Sequence, residues 1–180
     1  MNRTRFVILC TATVLAAVPL LVGPTMAREG RSSKAGLTGW EEVPSVSTPA
    51  TGQLRTSVVN TTTGPEIVYV LTYSDIQNAF AAHIHLGQVG VNGGVSAFLC
   101  GGGDKPPCPP TGGTVAGTID RPDVIGPSTQ GIEPGEIEEL VEAMRVGVTY
   151  ANVHTTDGNN ADPPGPPGDF PGGEIRGQIK

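Results

Sequence analysis

The stretch Ile67-Val68-Tyr69-Val70-Leu71-Thr72-Tyr73 decides the fold class. Its β-branched and aromatic residues occupy both faces of an extended chain, the pattern of a central strand in a sandwich or barrel. Segments of the same kind recur on either side, at residues 37–43, 52–59, 81–85, 95–99, 113–119, 149–155 and 174–179, divided by Gly, Pro, Asn and Thr. Many short strands with turn signals between them predict an all-β architecture, a Greek-key sandwich or barrel of about eight strands.

One segment departs from this pattern. After Glu133-Pro134, the apolar residues Ile137, Leu140, Val141 and Met144 recur at helical spacing, with Gly147 placed to end the helix. A single short amphipathic helix is therefore inserted between strands. Its outer acids, Glu136, Glu138, Glu139 and Glu142, read as a solvated face, the first of them complementing the helix dipole.

The chain begins with Arg3 and Arg5, an apolar run over residues 6–22, and then Thr25-Met26-Ala27. This is the layout of an export signal, with small residues where the peptidase needs them, and predicts cleavage after Ala27. The run is short for a membrane span and contains Pro19. Residues 1–27 are thus assigned to the signal, 28–36 to a flexible lead-in of small and polar residues, and 37–180 to one β domain. Export predicts a secreted, extracellular or periplasmic protein with no stable membrane span.

The chain has 11 basic and 17 acidic side chains, a net charge of −6. Loss of Arg3 and Arg5 with the signal leaves 9 against 17, or −8. Such a body repels nucleic acid, and none is expected as a partner. Cys10 leaves with the signal, while Cys100 and Cys108 flank a loop of Gly, Asp, Lys and Pro. In an oxidising compartment the pair reads as a disulfide that shapes its loop; two free thiols are the alternative.

The three histidines, His83, His85 and His154, all fall in predicted strands. Alternation puts His83 and His85 on one side and Ala82, Ile84 and Leu86 on the other, and likewise Tyr150, Asn152 and His154 opposite Ala151 and Val153. If the two strands are neighbours, three imidazoles meet in a half-open site on the outer face. Neutral imidazole suits copper and zinc, with Tyr150 and Asn152 placed to steady a ring. The alternative is that these rings only hydrogen-bond strand ends and the Gly-rich turn at residues 87–94. No Gly-x-Ser-x-Gly elbow is present, and Gly101-Gly102-Gly103 runs into a Pro-rich loop rather than a helix, which excludes a phosphate cradle. The long Pro- and Gly-rich loop at 157–173 carries Asp157, Asn159 and Asp162 without the glycine and terminal glutamate of an EF-hand.

From Leu37 onward the chain resembles the CHRD (chordin-type) domain family. Leu37-Thr38-Gly39-Trp40-Glu41-Glu42-Val43-Pro44 is similar to its L-x-G-x-x-E-V-P opening, and residues 82–93 to its A-H-I-H-x-G-x-x-G-x-N-G signature. Residues 147–155 and 173–179 match G-x-x-Y-x-N-V-H-T and G-E-I-R-G-Q-I. The resemblance implies an extracellular module, found singly in bacterial proteins and within an animal growth-factor antagonist, with an unassigned ligand or surface component as partner and no assigned catalysis. A fainter similarity links the order His83, His85, His154, Arg176 to copper-zinc superoxide dismutase, implying a copper-only oxidoreductase with Arg176 attracting the anion. The bridging histidine and remaining zinc ligands of that family have no counterpart here.

Overall fold

The computed structural model describes residues 32–158 and 168–180. The export segment, residues 28–31 of the lead-in, and Asn159 and Asp162 lie outside these residues. Eight strands follow in chain order: β1 Ser32–Thr38, β2 Thr51–Thr61, β3 Gly64–Ser74, β4 Ala79–Leu86, β5 Val95–Cys100, β6 Gly113–Ile119, β7 Thr149–Thr155 and β8 Ile175–Gln178. One helix, α1 Ile137–Arg145, lies between β6 and β7.

The strands form one antiparallel sheet in the order β5-β4-β7-β8-β1-β2-β3-β6, curled into a nearly closed barrel. After the β1-β2-β3 meander, the chain crosses to build β4 and β5. It returns to the free edge of β3 as β6, crosses back to β4 as β7, and fills the remaining gap with β8. These long returns are the Greek-key element expected from the sequence.

In β3 the alternation is strict: Ile67, Tyr69, Leu71 and Tyr73 are buried, whereas Val68 and Val70 are 39% and 41% exposed. The β-branched residues on the second face of this central strand therefore stay at the surface. Among the described residues no second layer packs over Val68 and Val70, so only the inner row enters the core. The two inner tyrosines close the seam between β5 and β6. Tyr69 Oη donates to the Leu99 carbonyl on β5 at 2.7 Å, and Tyr73 Oη donates to the Pro109 carbonyl at 2.9 Å. Tyr69 reaches β5 because Gly117 on β6 leaves space; a Cβ there would lie 2.6 Å from the hydroxyl.

The first strand is displaced from its expected position. It starts at Ser32 and takes in residues 32–36 of the expected flexible lead-in, and the chain turns through a 3-10 segment at Gly39–Glu41 instead of continuing to Val43. Ala35 and Leu37 point inward and Ser32, Lys34 and Gly36 outward, so a sparse alternation suffices once all seven residues pair with β2. Gly39 permits the turn, since a Cβ would lie 2.3 Å from the Val46 carbonyl oxygen.

Helix α1 buries Ile137, Leu140, Ala143 and Met144 in the same core as the strands. It ends where Gly147 adopts φ +77° and the amides of Gly147 and Val148 donate to the carbonyls of Met144 and Ala143. Among the described residues, no helix is long and apolar enough to cross a membrane.

Candidate metal centre

Strands β4 and β7 are antiparallel neighbours, with His83 opposite Asn152, His85 opposite Tyr150 and Ala81 opposite His154. Ala82, Ile84, Ala151 and Val153 fill the barrel interior, which leaves all three histidines on its outer side. One ligand nitrogen from each lies within 4.8 Å of the others, and His83 Nδ1 is 2.9 Å from His154 Nε2.

The expected half-open site is more enclosed than the alternation suggests. His85 and His154 are 7% and 8% exposed, and only His83 is half-buried. Two loops cover them. Gly93 of the 87–94 loop accepts a hydrogen bond at its carbonyl from His85 Nδ1 at 3.0 Å. In the other loop the Pro171 carbonyl accepts from His154 Nδ1 at 2.9 Å. A carbonyl is an acceptor only, so both rings carry their proton on Nδ1 and present a bare Nε2. The exposed flank is bordered by aromatic rings, Phe98 at 4.6 Å from His83 and Phe80 at 6.2 Å from His154, centroid to centroid.

Each covering loop is anchored by a buried charge. Arg176 on β8 is 2% exposed, lies 3.4 Å above the Tyr150 ring, and donates to Asn92 Oδ1 and the carbonyls of Gln88 and Val91. Its guanidinium thus holds the 87–94 loop in place. Tyr150 in turn stacks on His85, and its hydroxyl accepts the Gly93 amide proton at 3.1 Å. The fully buried Glu174 carboxylate accepts from Thr48 Oγ1 at 2.6 Å, Thr155 Oγ1 at 2.8 Å and the Gly168 amide at 3.2 Å. It ties the loop carrying Pro171 to β7.

Burial pushes the His83 ring down to about 3, assisted by the two other imidazoles, and the His85 ring to about 4. Burial lowers His154 as well. All three are neutral at pH 7, the state that binds metal. His85 Nε2, Asn152 Oδ1 and Glu42 Oε1 are buried and lack a partner at hydrogen-bonding geometry, and Asn152 lies between the other two, interacting with both the His85 ring and the Glu42 carboxyl. Burial raises the Glu42 carboxyl to about 7 against the opposing charge of Arg176. These atoms fit a cation. Nitrogens bound to one ion at about 2.0 Å stand roughly 3–4 Å apart, so the His83–His154 spacing already suits it and the widest gap needs to close by about 1 Å.

The structure brings together His83, His85 and His154, with Tyr150 and Asn152 beside them. Arg176 sits behind Tyr150 rather than facing the cluster. Cys100 and Cys108 are joined as a disulfide, Cα to Cα 5.1 Å. Sequence reasoning missed Glu42, Glu174, Phe98 and the Pro171 carbonyl, whereas the bond from His85 to Gly93 is the contact with the Gly-rich turn that the alternative reading of the histidines expected. Glu42 had a signal, as an acid just before the Val43-Pro44 turn of the opening motif; backbone carbonyls have none.

The fold and site define a class, a Greek-key barrel with a three-histidine cluster beneath two loops. The chain belongs to the CHRD domain family, whose match spans residues 33–161. The matched residues run from the second residue of β1 through β7, with the Ala82–Gly93 and Tyr150–His154 motifs. Comparison with curated proteins and with solved structures gives no match.

Proposed function

We propose that this protein is an exported CHRD-domain binding module that holds one copper or zinc ion through His83, His85 and His154. The observation that carries the reading is His85 Nε2, a buried lone pair with no partner at hydrogen-bonding geometry, held by Gly93 to face the other two rings. Metal binding would replace the His83–His154 hydrogen bond and move the His83 proton to its other nitrogen. The disulfide and the family's extracellular character support export.

Superoxide chemistry would ask Arg176 to draw an anion toward the metal. Its burial and its three loop contacts favour a structural role, so turnover forms no part of the reading. Calorimetric titration of the metal-free domain with zinc and with copper tests it. One equivalent of at least one ion should bind, and His83→Ala or His154→Ala should weaken it at least a hundredfold. Absence of binding by both ions, or binding indifferent to both substitutions, sinks the reading.

A further inference from the structure

Seven basic side chains lie among the described residues, and four are internally committed. Lys105 pairs with Asp104 and Asp123, Arg121 with Glu138 and Arg145 with Glu142, while Arg176 is buried against its loop. The other three, Lys34, Arg55 and Lys180, are exposed, have no ion pair among the described residues, and line one surface depression of about 420 Å³. The fold puts them in a row. Lys34 on β1 is the register partner of Arg55 on β2, and its backbone exchanges both hydrogen bonds with Lys180 at 2.8 and 2.9 Å. Neighbouring strands are about 4.8 Å apart, so three cations cross roughly 10 Å of sheet.

Like charges placed directly opposite across a sheet destabilise it. Here they stand together in a chain with 17 acids against 11 bases. Ser32, Ser33 and Gln53 line the same depression and add neutral donors. We infer that this row is a binding site for a linear acidic polysaccharide, one carrying a carboxylate or sulfate on each sugar ring. A glycan presents single charges at a spacing of the same order as the strands and needs only a narrow track. Glu41 borders the adjoining depression, and the acidic remainder of the domain disfavours polyanions with a broad footprint, such as duplex nucleic acid or an anionic membrane.

Binding of the full-length mature protein to polygalacturonate, dextran sulfate and neutral dextran would be measured by biolayer interferometry over a range of salt. At least one acidic polymer should bind and neutral dextran should not; which one binds tells carboxylate from sulfate. The logarithm of affinity should fall with the logarithm of salt with a slope of about −2, as for three contacts on a flexible polyanion. The triple variant Lys34→Gln, Arg55→Gln, Lys180→Gln should lose at least tenfold, whereas the double variant Arg121→Gln, Arg145→Gln should retain binding. Thermal melts of the exposed-site variants guard against misfolding. Failure of the wild type to bind either acidic polymer, indifference to the triple substitution, or equal affinity for duplex DNA or anionic vesicles overturns the assignment.

Discussion

The Tyr150 ring stacks on the His85 imidazole, 7° from parallel with centroids 4.8 Å apart, and carries the Arg176 guanidinium 3.4 Å above its own centroid. A candidate ligand is thereby positioned through an aromatic ring by a charge that does not touch it. The same guanidinium holds the loop whose Gly93 carbonyl fixes the His85 proton. Loop order and ring orientation therefore depend on one side chain.

Replacing Arg176 with lysine tests this coupling. An ammonium keeps the charge but loses the planar fork and its stacking on Tyr150. We expect Arg176→Lys to lower folding stability by about 2–4 kcal/mol, as for a buried charge left partly unpartnered. Urea unfolding measures this, and amide exchange should quicken across residues 87–94. An unchanged midpoint and unchanged exchange would show that the loop stands without the arginine.

Protons should compete weakly for the metal. Three ordinary imidazoles with pKa near 6.5 would each cost about 1.5 log units of affinity at pH 5. With His83 near 3 and His85 near 4, those two rings stay neutral at pH 5, and even an ordinary His154 would cost about 1.5 log units, so affinity at pH 5 should lie within about thirtyfold of that at pH 7. The stability of the metal-free protein moves oppositely to a salt-bridged histidine. Between about 4 and 6.5 the unfolded chain takes up protons that the folded rings refuse, so stability rises with pH through that window. A loss of a thousandfold in zinc affinity at pH 5 would contradict the burial of the cluster.

Glu42 contributes with the reverse sign. Its folded carboxyl is raised to about 7 from an ordinary 4.5, so between these values the folded state holds a proton that the unfolded state releases. Wild-type stability should lose up to about 3 kcal/mol from this group as pH rises through the window. Glu42→Gln removes that dependence, and the variant should gain on the wild type between pH 4.5 and 7.5 in denaturant titrations. A constant difference across that range would refute the assignment.

The fold was legible because its evidence is local. The alternation in β3, the spacing of Ile137, Leu140 and Met144, and the shared face of His83 and His85 depend only on the period of strand or helix. The start of β1 was obscured because Ser32–Thr38 has only Ala35 and Leu37 to mark an inner face, and its pairing with β2 supplies the rest. At the site, the ligands were readable as side chains of a distinctive type. Their enclosure was not, since it comes from the Gly93 and Pro171 carbonyls and from Glu174, whose partners lie as far away as Thr48.

The barrel seam offers the most direct test of the fold. Tyr69→Phe removes a buried donor and leaves the Leu99 carbonyl without its partner, which should cost about 1–3 kcal/mol. Gly117→Ala acts on the same contact from β6: the added methyl would sit 2.6 Å from the Tyr69 hydroxyl and 2.9 Å from Cζ, so the ring must be pushed off its acceptor. Part of the alanine cost is therefore the same hydrogen bond. In a double-mutant cycle, Gly117→Ala should destabilise the Tyr69→Phe background less than the wild type, with a coupling of roughly 0.5–3 kcal/mol. Additive losses would mean that Gly117 is small for another reason and that the hydroxyl is not what closes the seam.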